Sequence, residues 1–91
     1  GGTFVNTKGI NGVRYVVPQR VNIEGEEKLK LYFRVGQVFK GAKVVVECDG
    51  ETLSSRKKVK LAPGEMENVV ITPEMLKKMN KDSEIIVRVE E

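Results

Sequence analysis

Few residues in this chain have the chemistry to act on a substrate. There is no histidine, and there is one cysteine, Cys48. Without imidazole the chain has no Ser-His-Asp or Cys-His relay, no histidine general base and no histidine-based metal site. A lone cysteine cannot close an internal disulfide or supply a CxxC pair. A nucleophilic thiolate needs an electropositive, partly exposed setting. Cys48 instead alternates with Val44 and Val46 and is flanked by Glu47 and Asp49. The pattern predicts a buried structural thiol. The carboxylates Glu26 and Glu27, and Glu65 and Glu67, stand beside turn signals. Nothing near them would raise a carboxyl pKa as a general acid requires. No GxGxxG or GxxxxGK[ST] string occurs, so the chain has no glycine-rich phosphate cradle. The expected site inventory is therefore no catalytic, cofactor-binding or metal-ligating residue.

Two other groups are of a functional type. Arg56, Lys57, Lys58 and Lys60 form a basic run that could attract phosphate, nucleic acid or another polyanion. Single-strand binders add aromatic side chains for stacking, and this run has none. On a strand its charges would split between two faces. Protection of a sheet edge is the simpler role, and nucleic acid is not the expected partner. The second group is Tyr15, Pro18 and Gln19, with Tyr32 and Arg34 further on. Tyrosine and arginine are enriched at protein interfaces, so these five are candidate docking residues.

The elements that must position these residues are strands. From Lys28 to Val35 the alternation is strict: Leu29, Leu31, Phe33 and Val35 fall on one face, and Lys28, Lys30, Tyr32 and Arg34 on the other. Between Lys43 and Cys48, Val44, Val46 and Cys48 point inward, with Lys43, Val45 and Glu47 outward. Asp49-Gly50 follows and predicts a tight hairpin into Glu51 to Leu61. That second arm is polar, with Leu53, Val59 and Leu61 as its apolar residues, and reads as an edge strand. Pro63-Gly64 turns the chain into Glu65 to Ile71, with Val69 and Ile71 inward and Met66 and Val70 on the other face. Thr72, Pro73 and Glu74 form a helix start, and Met75, Leu76 and Met79 supply an apolar side for about two turns. Glu84 to Glu90 is the last strand, with Ile85, Val87 and Val89 inward. At the start, Arg14 to Val17 is a strand ended by Pro18, and Thr3 to Asn6 is expected to pair with it.

Ninety-one residues with 40% hydrophobic and 32% charged side chains describe one small folded domain. A domain of this size buries somewhat more than ~60% of its unfolded surface, which leaves little volume for an enclosed active site. No apolar run approaches the ~20 residues of a membrane-spanning helix. The cysteine usage fits a reducing, cytoplasmic setting. Six or seven short strands separated by turn signals, with one short helix, predict an all-β antiparallel sandwich. An immunoglobulin or fibronectin type III arrangement is the expected form, and a small barrel is the alternative.

Three strings carry a family resemblance: Gly12-Val-Arg-Tyr-Val-Val-Pro-Gln19, Leu31-Tyr-Phe-Arg-Val35 and Leu61-Ala-Pro-Gly-Glu-Met66. Together they resemble the C-terminal tail of bacterial FAD-dependent, pyridine-nucleotide-linked oxidoreductases of the anaerobic glycerol-3-phosphate dehydrogenase group. The resemblance runs in order from about Asn11 to Val89. It implies a non-catalytic module, residues 1–91, cut from the C-terminus of a larger flavoprotein. FAD and NAD(P) would belong to that parent and not to this chain. The implied partner is the parent's catalytic domain or another subunit. A free-standing basic module for nucleic acid or another polyanion is the alternative function.

Overall fold

The Asp49-Gly50 turn organises the longest pairing in the molecule. Asp49 (φ 52°) and Gly50 (φ 81°) both adopt the left-handed backbone that a type I′ hairpin turn requires. They join β5 (Phe39–Cys48) to β6 (Glu51–Leu61) in antiparallel register from Cys48 opposite Glu51 to Phe39 opposite Leu61. The computed structural model describes residues 1–91 throughout.

Six further strands complete the domain: β1 (Phe4–Ile10), β2 (Val13–Val17), β3 (Arg20–Asn22), β4 (Leu29–Val35), β7 (Glu67–Ile71) and β8 (Glu84–Glu90). They form a five-stranded sheet in the order β3-β1-β8-β5-β6 and a three-stranded sheet in the order β2-β4-β7. The expected all-β sandwich with one short helix is what the chain forms. Eight strands are present because the three-residue β3 adds one to the expected set. Immunoglobulin constant domains divide their strands four and three between the sheets. Here the division is five and three, and β8 lies between β1 and β5.

Each strand's inward residues follow from its alternation. Leu31, Phe33 and Val35 of β4, Val69 and Ile71 of β7, and Ile85, Val87 and Val89 of β8 all enter one core of twenty buried residues. Val44, Val46 and Cys48 join it from β5, as the sequence predicts. Val45 points the other way but is only 2% exposed. Its partner across the ladder is Arg88, which is held by the carboxylates of Glu47 and Glu90. A guanidinium anchored on both sides keeps its aliphatic stem over the sheet and shields the valine.

Several local expectations are corrected. Thr3 to Asn6 does not pair with Arg14 to Val17. β1 pairs antiparallel with β3 and parallel with β8, and β2 pairs with β4 in the opposite sheet. The chain changes sheet at Asn11-Gly12, where both residues have positive φ. Gly9 permits the crossing, since a Cβ there would lie 2.5 Å from Val13 Cγ1. β2 carries a bulge between Val13 and Tyr15, so that Val13 and Val16 both face inward. β7 begins at Glu67 rather than Glu65. The helix α1 is one turn, Pro73–Leu76, and not two. Thr72 caps it as expected, accepting from the Met75 N–H at 3.2 Å. Leu76 and Met79 are buried. Val59 of β6 does not serve the core: it is 91% exposed.

Candidate functional site

The structure brings three of the five candidate docking residues together from strands distant in sequence. Tyr15 lies opposite Arg34, and Val17 opposite Tyr32, across the β2–β4 ladder. Tyr32 in turn lies opposite Asn68, and Lys30 opposite Val70, across β4–β7. Residues paired across a ladder share a face. Tyr15, Tyr32 and Arg34 therefore stand together on the outer face of the three-stranded sheet, with Val17, Val70, Lys30 and Asn68. Tyr15, Val17 and Tyr32 are each more than 40% exposed. Met66, one residue before β7 on the same alternation, is 47% exposed.

Two causes produce this face. The inward residues of β4 are strictly apolar, which commits Lys30, Tyr32 and Arg34 to the outside. The bulge in β2 turns Tyr15 and Val17 outward beside them. Arg34 also reaches the Pro63 carbonyl at 3.4 Å, a long contact that holds the guanidinium along the sheet. The strand positions on this face carry two cations and no carboxylate.

Pro18 and Gln19 are not part of it. They form the crossover from β2 to β3, and Val17-Pro18 is a cis peptide. Their carbonyls accept hydrogen bonds from the Thr7 hydroxyl (2.7 Å) and the Thr7 N–H (2.9 Å). Both act in the joint between the sheets. Gln19 lines an open cleft with Lys8, Arg14, Tyr15 and Glu84. Sequence reading places Met66 and Val70 on the outer side of their strand without joining them to this group, and it misses Val17. An exposed valine or methionine carries no signal until its strand neighbours are known.

The basic run also divides. Lys57 lies opposite Lys43 on the outside of β5–β6, and Lys60 lies opposite Lys40 nearer the end of the ladder. Arg56 and Lys58 lie opposite Val44 and Ala42 and so point to the inner side. There Lys58 meets Glu67 of β7 at 3.2 Å, spanning the edges of the two sheets. Arg56, Lys58 and Asn68 rim a cleft of about 190 Å³ at this edge.

Cys48 is buried, as its position implies. Burial raises its pKa above the ordinary thiol value, and the nearby Asp49 carboxylate adds to the effect. The Ser83 hydroxyl donates to Asp49 Oδ2 at 2.6 Å, so the group is a small polar cap on the hairpin. No group of three or more His, Cys, Asp or Glu residues is placed to hold a metal ion, and no helix is long and apolar enough to cross a membrane. No family model matches the chain, no curated protein matches it, and no solved structure matches it.

Proposed function

We propose that this domain is a non-catalytic docking module that binds a protein partner through the outer face of the three-stranded sheet. The carrying observation is that exposed Tyr15, Val17 and Tyr32 and half-buried Arg34 form one contiguous set across paired strands. Aromatic rings and an arginine at the centre of a patch are the usual anchors of an interface. A rigid sheet presents them with little entropy left to lose on binding. The sequence resemblance suggests the partner: the catalytic domain of an FAD-dependent oxidoreductase, with FAD and NAD(P) held by that domain.

The surface and the partner are tested separately. The reading frame upstream of Gly1 tests the partner. A dinucleotide-binding fingerprint there supports the flavoprotein reading, and its absence overturns it. Coexpression with that upstream segment tests the surface. Tyr32→Ala with Arg34→Ala should release the module while leaving it folded. Unchanged assembly in that variant, and in Tyr15→Ala, would refute the docking face.

A further inference from the structure

A second surface, independent of the docking face, lies at the far edge of the larger sheet. β6 is an edge strand of eleven residues, and its outer backbone edge has no strand beside it. Such an edge offers a row of free N–H and C=O groups. The side chains around it are also unusual. Lys40 lies directly opposite Lys60, and Lys43 directly opposite Lys57. Like charges at directly opposed positions are destabilising. None of these four lysines has a carboxylate within ion-pair distance, and neither does Arg56.

The two lysine pairs flank Gly41 and Val59 along the ladder. Gly41 adopts a positive φ of 65° and has no side chain to cover the residue across from it. Val59 is consequently 91% exposed, the barest large apolar side chain of the domain. Edge protection accounts for lysines on β6. It does not account for two lysines of the neighbouring strand β5 facing them, nor for a bare valine at their centre.

We propose that the open edge of β6 receives an extended acidic peptide segment as an added strand. The backbone edge supplies the ladder hydrogen bonds. Lys57 and Lys60 receive carboxylates of the added strand, with Lys40 and Lys43 behind them on β5, and Val59 takes an apolar side chain between them. On the inner side, the cleft between β6 and β7 offers Arg56 and Asn68 to the residues of opposite parity. Bound carboxylates would relieve the two opposed lysine pairs. Nucleic acid fits this edge less well, because Phe39 of β5 and Phe33, which lines the cleft from β4, are buried and cannot stack on a base.

The probe is a ten-residue peptide of repeating Glu-Glu-Val-Val, which sets Glu and Val in turn along each face of a strand, titrated into the ¹⁵N-labelled domain at low and physiological salt. Backbone amide shifts should concentrate on Arg56 to Lys60, and affinity should fall with salt. Lys57→Glu with Lys60→Glu should weaken binding at least tenfold, and the fold of this variant is checked by its own amide spectrum. The same peptide N-methylated at alternate residues keeps its charge but loses one hydrogen-bonding edge, and should also bind at least tenfold more weakly. Equal binding of the N-methylated peptide would overturn strand addition. Equal binding of the matching Lys-Lys-Val-Val peptide, or tighter binding of a ten-nucleotide oligothymidine, would overturn the acidic-peptide assignment. Shifts confined to the Tyr15–Tyr32 face, or no shifts at millimolar peptide, would overturn the site.

Discussion

Replacing Gly9 by alanine tests the joint between the two sheets. In an unconstrained strand this change is favourable, because interior glycine is worse than alanine by roughly 0.5–1 kcal/mol. Gly9 is not unconstrained. A Cβ at this position would lie 2.5 Å from Val13 Cγ1 and 3.1 Å from both Val13 Cβ and the Val13 carbonyl oxygen. Part of the obstacle is backbone and cannot rotate away. Overpacking of this kind costs about 1–3 kcal/mol, so the clash outweighs the propensity gain. We expect a net loss of roughly 1–2 kcal/mol and a fall in Tm of about 5–15 °C for a domain of this size. Gly64→Ala is the control: nothing lies within 4 Å of its added Cβ, and its effect should be a gain of about 0.4–1 kcal/mol. Val13→Ala in the Gly9→Ala background removes the worst contact. The double variant should then lose less than the sum of the single losses by more than about 0.5 kcal/mol. Urea and thermal unfolding measure the parent, the three single variants and the double variant. If Gly9→Ala is as stable as the parent, or if the two sites are additive, the close-approach argument is wrong.

Other perturbations follow from named contacts. Lys57→Glu places a carboxylate opposite Lys43 and should stabilise the domain by about 0.2–1 kcal/mol in urea titrations, with the gain shrinking in high salt. Thr72→Ala removes the hydroxyl that caps α1 and should cost about 1 kcal/mol by the same assay. Cys48 has a raised pKa from burial, so the folded state keeps the thiol proton to higher pH than the unfolded chain does. Its stabilising effect is therefore complete below the unfolded value of about 8.5 and is lost as pH rises through the folded value. Stability measured between pH 7.5 and 10 should decline less steeply in Cys48→Ala than in the parent.

The parts of the fold that can be read from the sequence are those with local causes. Leu31, Phe33 and Val35 declare β4 by alternation, Asp49-Gly50 declares its hairpin by backbone geometry, and Thr72-Pro73 declares a helix start by capping. The parts that cannot be read have distant causes. β1 has one fully buried side chain, Val5, followed by Thr7 and Gly9 on the same alternation. Nothing in that pattern points to a partner strand almost eighty residues away. The bulge in β2 breaks the spacing that would place Tyr15, and Gly41 gives no sign of its positive φ. The outer face of the three-stranded sheet was legible in part: alternation puts Tyr32 and Arg34 outward, and Tyr15 stands out by residue type alone. Their union was not, because it depends on the β2–β4 register. Pro18 and Gln19 looked equally functional but hold the sheet crossover together.

The parallel pairing of β1 with β8, from Asn6 opposite Glu84 to Ile10 opposite Arg88, has a mechanical consequence. The chain enters β1 at one end of the sheet and leaves β8 at the other. Tension applied between Phe4 and Glu90 therefore pulls the two strands past each other along their length. Every hydrogen bond of that ladder must yield together, rather than opening one after another as in a hairpin pulled from its ends. A force probe attached at Phe4 and Glu90 should therefore find that ladder stiffer than one attached to open the β5–β6 hairpin from its free ends.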